Sequence, residues 1–252
     1  MILVTGGTGQ IGSRLLLNLT KNKAYKVRAI YRNTQSLEKI RQLFVKHSDS
    51  GAAQFDTIEW IQADLSNIPA LEKAFEGVTF VFHCAGLISF QPQDFDKLIE
   101  VNVQGTANIV NLSIDFGVKK LCYVSSVATL STLPHTPIDE ENDWNNEDNN
   151  TDYAISKHGA EMEVWRGSQE GLPVVIVNPS VVLGGDFADR GSGLLYKKVA
   201  DGLRYYPAGA TGFVGVDDVV RAMVQLQFSE VAGERFVLNT ENLTYKAILE
   251  RI

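Results

Sequence analysis

The sequence predicts an α/β fold in which a doubly wound parallel sheet carries a small C-terminal lobe. Short apolar runs alternate with segments of helical periodicity along most of the chain. Apolar strands separated by helices are typical of a parallel sheet that is covered on both faces. The length of 252 residues, with 44% hydrophobic and 21% charged residues, suits one large domain with a lobe attached.

The first βαβ unit is the clearest part of this pattern. An apolar strand at Ile2–Val4 precedes a helix from Gln10 to about Thr20 and a second strand at Tyr25–Tyr31. The alternation continues, with strands predicted at Thr57–Ile61, Phe80–Cys84, Leu121–Ser125 and Val174–Val177, and with helices predicted at Ser36–Lys46, Pro69–Phe75 and Phe95–Phe116 and from Asp152 onward. The helix at 95–116 has the apolar stripe of a helix that lies on a sheet.

The regular alternation ends after Pro179, where glycine becomes frequent. We therefore divide the chain into a main domain at 1–178 and a lobe at 179–252 that interleaves with the sheet. The elements predicted in the lobe are helices at Leu194–Gly202, Val219–Phe228 and Leu243–Ile252 and strands at Gly212–Val216 and Arg235–Asn239. The last helix ends without a glycine or proline terminator, so we expect the C-terminus to be incomplete.

Composition excludes several classes of protein. A net charge of −7 and a pI near 5.2 argue against a nucleic-acid partner or an anionic membrane. No apolar run reaches the length of a membrane span, and Met1 leads straight into a strand with no room for a signal peptide, so we expect a cytoplasmic location.

The metal-ligating residue types do not form a site in the sequence. Cys84 and Cys122 each lie inside an apolar run, which favours buried free thiols over a disulfide or a metal pair. The histidines have no metal-ligand spacing, and they are His47, His83, His135 and His158. We predict no catalytic metal.

A glycine turn, Thr5-Gly6-Gly7-Thr8-Gly9-Gln10-Ile11-Gly12, follows the first strand and opens the first helix. Glycine permits positive φ and a close backbone approach to a pyrophosphate, while the helix N-terminus offers free N–H groups. The alternative, a merely tight βα loop, is disfavoured because strand, turn, helix and second strand appear in order. The pattern predicts a Rossmann-type dinucleotide-binding domain whose turn contacts come from Gly6, Thr8, Gly9, Gln10, Ile11 and Gly12.

The end of the second strand indicates which dinucleotide is bound. A site for NAD(H) usually places an acid there to hold the ribose hydroxyls. The chain instead has Arg32, with Lys39 as a second cation within the next helix. Arginine can stack on adenine and hold a 2′-phosphate, so NADP(H) is preferred and NAD(H) is the alternative. The less favoured alternative is that both cations are ordinary surface residues.

Polar residues suited to proton transfer recur farther along the chain. Tyr153 and Lys157 are four residues apart at the start of a helix and therefore project from one face. Ser125 and Ser126 follow the fifth strand, at the carboxyl edge where open α/β sheets bind ligands. These groups can share one active site.

Together these motifs resemble those of the extended (atypical) short-chain dehydrogenase/reductase family, within the NAD-dependent epimerase/dehydratase superfamily and closest to its dihydroflavonol-reductase-like branch. The resemblance covers nearly the whole chain. It is carried by Gly6, Gly9 and Gly12, Asp64-Leu65, His83-Cys84-Ala85-Gly86, Asn102-Val103-Gln104-Gly105-Thr106, Ser125-Ser126, Tyr153 to Lys157, Ala160-Glu161 and Asn178-Pro179.

The resemblance implies a catalytic group of four residues. Tyr153 is the general acid/base, and Lys157 stabilises its phenolate, since a free phenol has a pKa of about 10. Lys157 also holds the nicotinamide ribose. Ser126 donates a hydrogen bond to the reacting oxygen. Asn102 resembles a family asparagine that orders a water near Lys157, although a helix-kinking role explains it equally well.

The resemblance also implies further contacts to the cofactor. Asp64 and Leu65 flank adenine, although they also suit a strand-ending cap and a core contact. The remaining contacts lie after the fourth and sixth strands, and we assign them to Ala85, Gly86, Asn178, Pro179 and Val181, besides Tyr153 and Lys157 themselves.

Three functions are compatible with this group of residues. Reduction of a small-molecule ketone or aldehyde is favoured by Arg32 and by the stretch from Asn178 to Gly184, which departs from the pattern common in sugar epimerases. A nucleotide-sugar epimerase or dehydratase that holds NAD(P) tightly is the first alternative, and a non-catalytic NADP-sensing regulator is the second. Residues that could line a substrate site or only coat the lobe are Arg190, Lys197, Arg204, Tyr205 and Tyr206.

The oligomeric state can be addressed only by resemblance. In many relatives the helix at 95–116 and the helix that carries Tyr153 form a four-helix interface. A homodimer is therefore plausible for this chain.

Overall fold

A computed structural model of the chain describes residues 1–131, 137–187 and 191–252. Two of the residues considered above, His135 and Arg190, lie outside these ranges. No helix in the described ranges is both long and apolar enough to cross a membrane.

The main sheet has seven strands in the order β3-β2-β1-β4-β5-β6-β9, and every neighbouring pair is parallel. This confirms the predicted fold class. The strands of this sheet are β1 Ile2–Thr5, β2 Val27–Tyr31, β3 Glu59–Gln62, β4 Phe80–His83, β5 Lys120–Val124, β6 Val174–Pro179 and β9 Glu234–Leu238. Three further strands of the described residues, β7 Val181–Leu183, β8 Ala210–Gly215 and β10 Glu241–Thr244, form a second sheet.

Helices cover both faces of the main sheet. They are α1 Gln10–Leu19, α2 Thr34–His47, α3 Gly51–Asp56, α4 Ile68–Phe75, α5 Phe95–Leu98, α6 Gly105–Asp115, α7 Asp152–Gln169, α8 Leu194–Ala200, α9 Val216–Gln227 and α10 Tyr245–Arg251. Successive β1 residues serve opposite layers, because Ile2 and Val4 pack with α1, α2 and α9 while Leu3 packs with α4, α6 and α7. The core therefore lies in two layers with the sheet between them.

The strand order reverses between β1 and β4, which is where an open α/β sheet leaves a crevice at its carboxyl edge. The glycine turn after β1 and the segment after β4 border this crevice. The fold therefore places the predicted cofactor and catalytic residues along one edge of the sheet.

Residues after Pro179 divide between the two sheets. Strand β9 pairs with β6 and so belongs to the main sheet, whereas β7, β8 and β10 form the small one. The division at residue 178 stays a prediction.

Several predicted elements need correction. The helix predicted from Leu243 begins at Tyr245, because residues 241–244 pair antiparallel with β8 and Thr244 then caps the helix by accepting a hydrogen bond from the Ala247 N–H. The helix predicted at 95–116 contains a π-helical segment, Ile99–Gln104, between α5 and α6. Helix α3 and strands β7 and β10 were not predicted, because each is too short to show a periodic pattern.

Candidate active site

The glycine turn has a conformation that only glycine suits. Gly6 adopts φ +65°, and a Cβ at this position would lie 2.6 Å from the Ala85 backbone nitrogen. A Cβ on Gly12 would lie 2.2 Å from the Gly6 carbonyl oxygen. Gly9 begins helix α1 without a side chain to cap it, so the helix N-terminus presents its backbone N–H groups to the crevice. This cradle fits a pyrophosphate.

A cleft opens beside the turn at the carboxyl ends of β1 to β4. It brings together many of the predicted cofactor residues, namely Gly6, Thr8, Gly9, Arg32, Asp64, Leu65, Ala85 and Gly86. The cleft is also lined by residues that were not predicted to contact the cofactor, which are Ile30, Tyr31, Ala63, Cys84, Leu87 and Val101. Most of these directly adjoin a predicted residue at a strand end, and that adjacency could have identified them.

The end of the cleft that Arg32 and Asp64 line holds charges of both signs. Burial raises the pKa of Asp64, but hydrogen bonds from Ser66 and the charge of Arg32 outweigh burial, so the pKa is lowered overall. The Arg32 side chain is exposed and lines the cleft, where it can reach a bound anion. Lys39 is exposed on α2 and does not line the cleft, so its predicted role has no support from this geometry.

The other predicted cofactor residues lie outside this cleft. Gln10 extends from the start of α1 to the small sheet, where its side-chain amide donates to the Val182 carbonyl oxygen at 3.4 Å. Ile11 packs against the core. Asn178 and Pro179 end β6, and Val181 begins β7. Their contacts to a cofactor stay predictions.

Tyr153 and Ser126 are brought together by α7 and the end of β5. Thr151 caps α7 by accepting from the Ala154 N–H at 3.2 Å, which places Tyr153 in the first turn. Burial raises the pKa of the Tyr153 phenol, and a hydrogen-bonding interaction with Ser126 opposes the rise. The Ser126 oxygen accepts from the Ala128 N–H at 3.1 Å, which leaves its own proton to donate.

Lys157 lies one turn after Tyr153 and is buried. Its Nζ donates to the Tyr123 hydroxyl at 2.5 Å and to the Val124 carbonyl oxygen at 2.9 Å. Within the described ranges it does not hydrogen-bond to Tyr153. Burial lowers the pKa of Lys157 to about 7, although the charge of Glu161 acts in the opposite direction. The ammonium can therefore change its charge near neutral pH.

Asn102 lies in the π-helical segment and is fully engaged with protein groups. Its Oδ1 accepts from the Leu87 N–H at 2.7 Å, while its Nδ2 donates to the Leu87 carbonyl oxygen at 3.0 Å and to Ser156 Oγ at 2.9 Å. The side chain thus ties the segment after β4 to α7. This geometry favours a positioning role over direct contact with reacting atoms.

Glu161 joins several segments around the site, although from the sequence it was named only as part of the family motif. It is completely buried one turn after Lys157. Its Oε2 accepts from Ser125 Oγ at 2.5 Å, Thr129 Oγ1 at 2.8 Å and Asn178 Nδ2 at 3.0 Å. The spacing of four residues from Tyr153 to Lys157 to Glu161 was the available indication, because it places all three on one face of α7.

Metal-ligating side chains are not grouped into a site among the described residues. In the ranges that the structure covers, no three histidine, cysteine or acidic side chains are grouped so as to hold a metal ion. Cys84 and Cys122 are free thiols, and burial raises the pKa of Cys84 to about 12.

The fold and the site together define an NAD(P)-dependent oxidoreductase. The sequence model of the NAD dependent epimerase/dehydratase family matches residues 2–238. The chain belongs to that family, in its extended short-chain dehydrogenase/reductase branch. The resemblance seen in the motifs is thereby confirmed.

Two relatives illustrate the range of names in the family. Sterol demethylase protein B of Methylococcus capsulatus is 30% identical over 250 residues, which cover 98% of this chain and 72% of that protein. Tetraketide alpha-pyrone reductase 2 of Arabidopsis thaliana is 30% identical over 265 residues, covering 98% of this chain and 80% of that protein. Both alignments span nearly the whole chain.

Solved structures agree on the fold. The crystal structure of gox2253 superposes with a TM-score of 0.85 at 29% identity, covering 99% of this chain and 73% of that chain. Candida albicans Gre2, solved with NADPH, has a TM-score of 0.82 at 22% identity, covering 99% of this chain and 80% of that chain. Thermus thermophilus UDP-glucose 4-epimerase, solved with NAD, has a TM-score of 0.79 at 23% identity, covering 99% and 81%. At these last two identities the likeness shows the fold alone.

Proposed function

We propose that the chain is an NADP(H)-dependent oxidoreductase that reduces a small-molecule ketone or aldehyde. Its main support is the position of Tyr153 beside Ser126 at the carboxyl edge of the sheet, next to the cleft formed by the glycine turn. When bound there, the nicotinamide would supply a hydride to the substrate carbon. The names of several relatives, which are called reductases, agree with this direction of reaction.

The residues of the site suit the proton half of such a reaction. Tyr153 gives its phenol proton to the carbonyl oxygen, and the Lys157 ammonium stabilises the phenolate that results. Ser126 donates its remaining proton to the same oxygen as negative charge develops there. Because Lys157 does not bond directly to Tyr153, its effect on the phenolate is electrostatic.

The preference for NADP(H) follows from the adenine end of the cleft. Arg32 lines the cleft and can pair with a 2′-phosphate. The nearby acid, Asp64, is held by Ser66 through both a backbone and a side-chain hydrogen bond. Asp64 is therefore less available than a free acid to hold the ribose hydroxyls of NAD(H).

A substrate screen tests the reaction. The panel contains aldehydes and ketones with NADPH, and nucleotide sugars with NAD, and is followed by cofactor absorbance and by product analysis. We expect carbonyl reduction, and we expect Tyr153→Phe to lower kcat by about 10²–10⁴-fold while NADPH still binds. Tyr25→Phe, at a tyrosine stacked on Phe228, is the matched control. Conversion of nucleotide sugars without carbonyl reduction would replace this function with epimerase or dehydratase chemistry.

Calorimetric titration tests the cofactor preference separately. We expect NADPH to bind more tightly than NADH, and Arg32→Ala to weaken NADPH binding by about tenfold or more, as loss of a charge-assisted hydrogen bond would do. Arg41→Ala, which removes an exposed α2 arginine paired with Asp56, should leave both affinities unchanged. Tighter binding of NADH to the unaltered chain would overturn the assignment.

A further inference from the structure

Lys157 is attached to strand β5 by a tyrosine that the sequence motifs do not include. Tyr123 is completely buried, and its ring centroid lies 4.3 Å from Lys157 Nζ. An ammonium has three N–H donors and no acceptor, so in the 2.5 Å bond between them the Tyr123 oxygen must accept. The hydroxyl proton of Tyr123 is then directed away from Lys157.

A buried hydrogen-bond network of neutral side chains continues from Tyr123. The phenol has a hydrogen-bonding interaction with Thr106, whose Oγ1 lies 3.0 Å from His83 Nε2. His83 stacks on the Tyr123 ring, and its Nδ1 lies 2.6 Å from Thr5 Oγ1. Burial lowers the pKa of His83 to about 3, so the imidazole is neutral. This network thus connects Lys157 to Thr5, the first residue of the glycine turn.

We propose that Tyr123 is a positioning residue for Lys157, which fixes the ammonium at the active site through its hydroxyl. The inference rests on the proposed hydride-transfer function. Two of the three ammonium N–H groups point to β5, one to Tyr123 and one to the Val124 carbonyl oxygen. This arrangement directs the third N–H away from β5, toward the reacting groups.

The groups that face Lys157 explain why one hydroxyl matters. Burial disfavours the ammonium and lowers its pKa to about 7, while Glu161 on α7 and Cys84 after β4 act in the opposite direction. His83 on β4 is neutral, and Tyr153 on α7 has a pKa raised by burial. The Tyr123 oxygen accepts a stronger hydrogen bond from the charged ammonium than from a neutral amine, and it therefore favours the charged form.

Tyr123→Phe isolates this effect because it keeps the ring over Lys157 and removes only the hydroxyl. Without that acceptor the ammonium should lose its proton at lower pH. Reduction needs Lys157 charged, and its pKa is lower than that of Tyr153, so Lys157 sets the alkaline limb of the kcat/KM profile. We expect this limb to move to lower pH by about one unit and kcat to fall about tenfold above neutral pH, with the KM of the carbonyl substrate nearly unchanged.

Two further variants keep the test interpretable. Tyr25→Phe is the matched control and should leave the pH profile unchanged. Thr106→Val removes the hydroxyl that accepts a hydrogen bond from Tyr123. It should move the alkaline limb in the same direction by a smaller amount. If Tyr123→Phe does not fold, an unchanged limb in Thr106→Val overturns the proposal.

A titration that needs no turnover separates this proposal from the proposed function. The chain is labelled with ¹³C at lysine Cε, and the Lys157 resonance is assigned as the one missing from Lys157→Met. We expect its titration midpoint to fall in Tyr123→Phe. An unchanged midpoint in the folded variant overturns the role of Tyr123, whereas failure of the whole carbonyl panel overturns the function and leaves this result standing.

Discussion

Two buried ionisable side chains lie one turn apart on α7, and their surroundings satisfy them in opposite ways. Lys157 has two acceptors, both on β5, and burial lowers its pKa to about 7. Glu161 accepts hydrogen bonds from five donors, which come from Ser125, Thr129, Trp165, Asn178 and Arg235. A buried charge is costly unless it is well paired. Glu161 is thus held by many donors, whereas Lys157 has few partners and can change its charge near neutral pH.

The two side chains also serve different parts of the fold. The Lys157 contacts stay within the edge that borders the cofactor cleft. Glu161 connects β5, β6 and β9, and its partner Arg235 also donates to the backbone carbonyl oxygens of Glu140 and Asn142. We therefore expect Glu161 to affect mainly the stability of the fold and Lys157 to affect mainly the reaction. Mutations at these two positions should have different effects.

The largest expected effect is on catalysis, at Lys157. Lys157→Met keeps the length of the side chain and removes the charge that is proposed to stabilise the Tyr153 phenolate. We expect kcat to fall by about 10²–10⁴-fold with the fold preserved. Lys246→Met, at an exposed lysine paired with Glu250 on α10, should keep normal activity. Substantial turnover in Lys157→Met would remove the lysine from the mechanism.

The same variant should change how stability depends on pH. The pKa of Lys157 is about 7 in the folded chain and near its ordinary value of 10.5 when unfolded, so between these values the unfolded chain binds more protons. Stability contributed by this group therefore rises with pH across that window, by up to about 1.4 kcal/mol per pH unit. Urea unfolding at several pH values should show this slope in the unaltered chain, and a smaller slope in Lys157→Met but not in Lys246→Met.

The second effect is on stability, at Glu161. In Glu161→Gln, either orientation of the amide places its NH₂ group opposite donors from which the carboxylate accepts hydrogen bonds. Those donors then lose their acceptor. We expect a loss of about 3–5 kcal/mol in the free energy of unfolding, seen as a lower urea midpoint at unchanged m-value. Glu163→Gln, on the same helix and paired with Arg166, should cost less than about 1 kcal/mol. Equal losses in the two variants would show that burial of Glu161 does not matter.

The sequence predicted the fold and the cofactor edge because both depend on local patterns. Apolar strands alternate with helices, and the glycine turn needs the positive φ and close approach that Gly6 and Gly12 permit. Helix spacing likewise placed Tyr153 and Lys157 on one face. The domain boundary, the homodimer, the cytoplasmic location and the roles of individual site residues stay predictions.

The rest depends on contacts between distant segments. Tyr123 looks like any aromatic residue in a buried strand until α7 packs against it from more than thirty positions away. The partners of Glu161 reach from Ser125 to Arg235. The last two residues of β10, Leu243 and Thr244, were predicted as the start of a helix, because the pairing of β10 with β8 outweighs the helical periodicity of residues 243–252. No local pattern carries such information.

The smallest expected effect concerns the ion pair between Arg235 and Glu161, which can be compared with the neutral hydrogen bonds to the same carboxylate. Arg235 Nη1 lies 3.5 Å from Glu161 Oε1, whereas the hydroxyl and amide donors on Oε2 are closer. Arg235→Gln should therefore cost only about 1–2 kcal/mol by urea unfolding, because the neutral donors remain. Arg221→Gln, at an exposed arginine paired with Asp218, should cost less than about 1 kcal/mol. If Arg235→Gln costs as much as Glu161→Gln, the ion pair rather than the neutral donors holds the carboxylate in place.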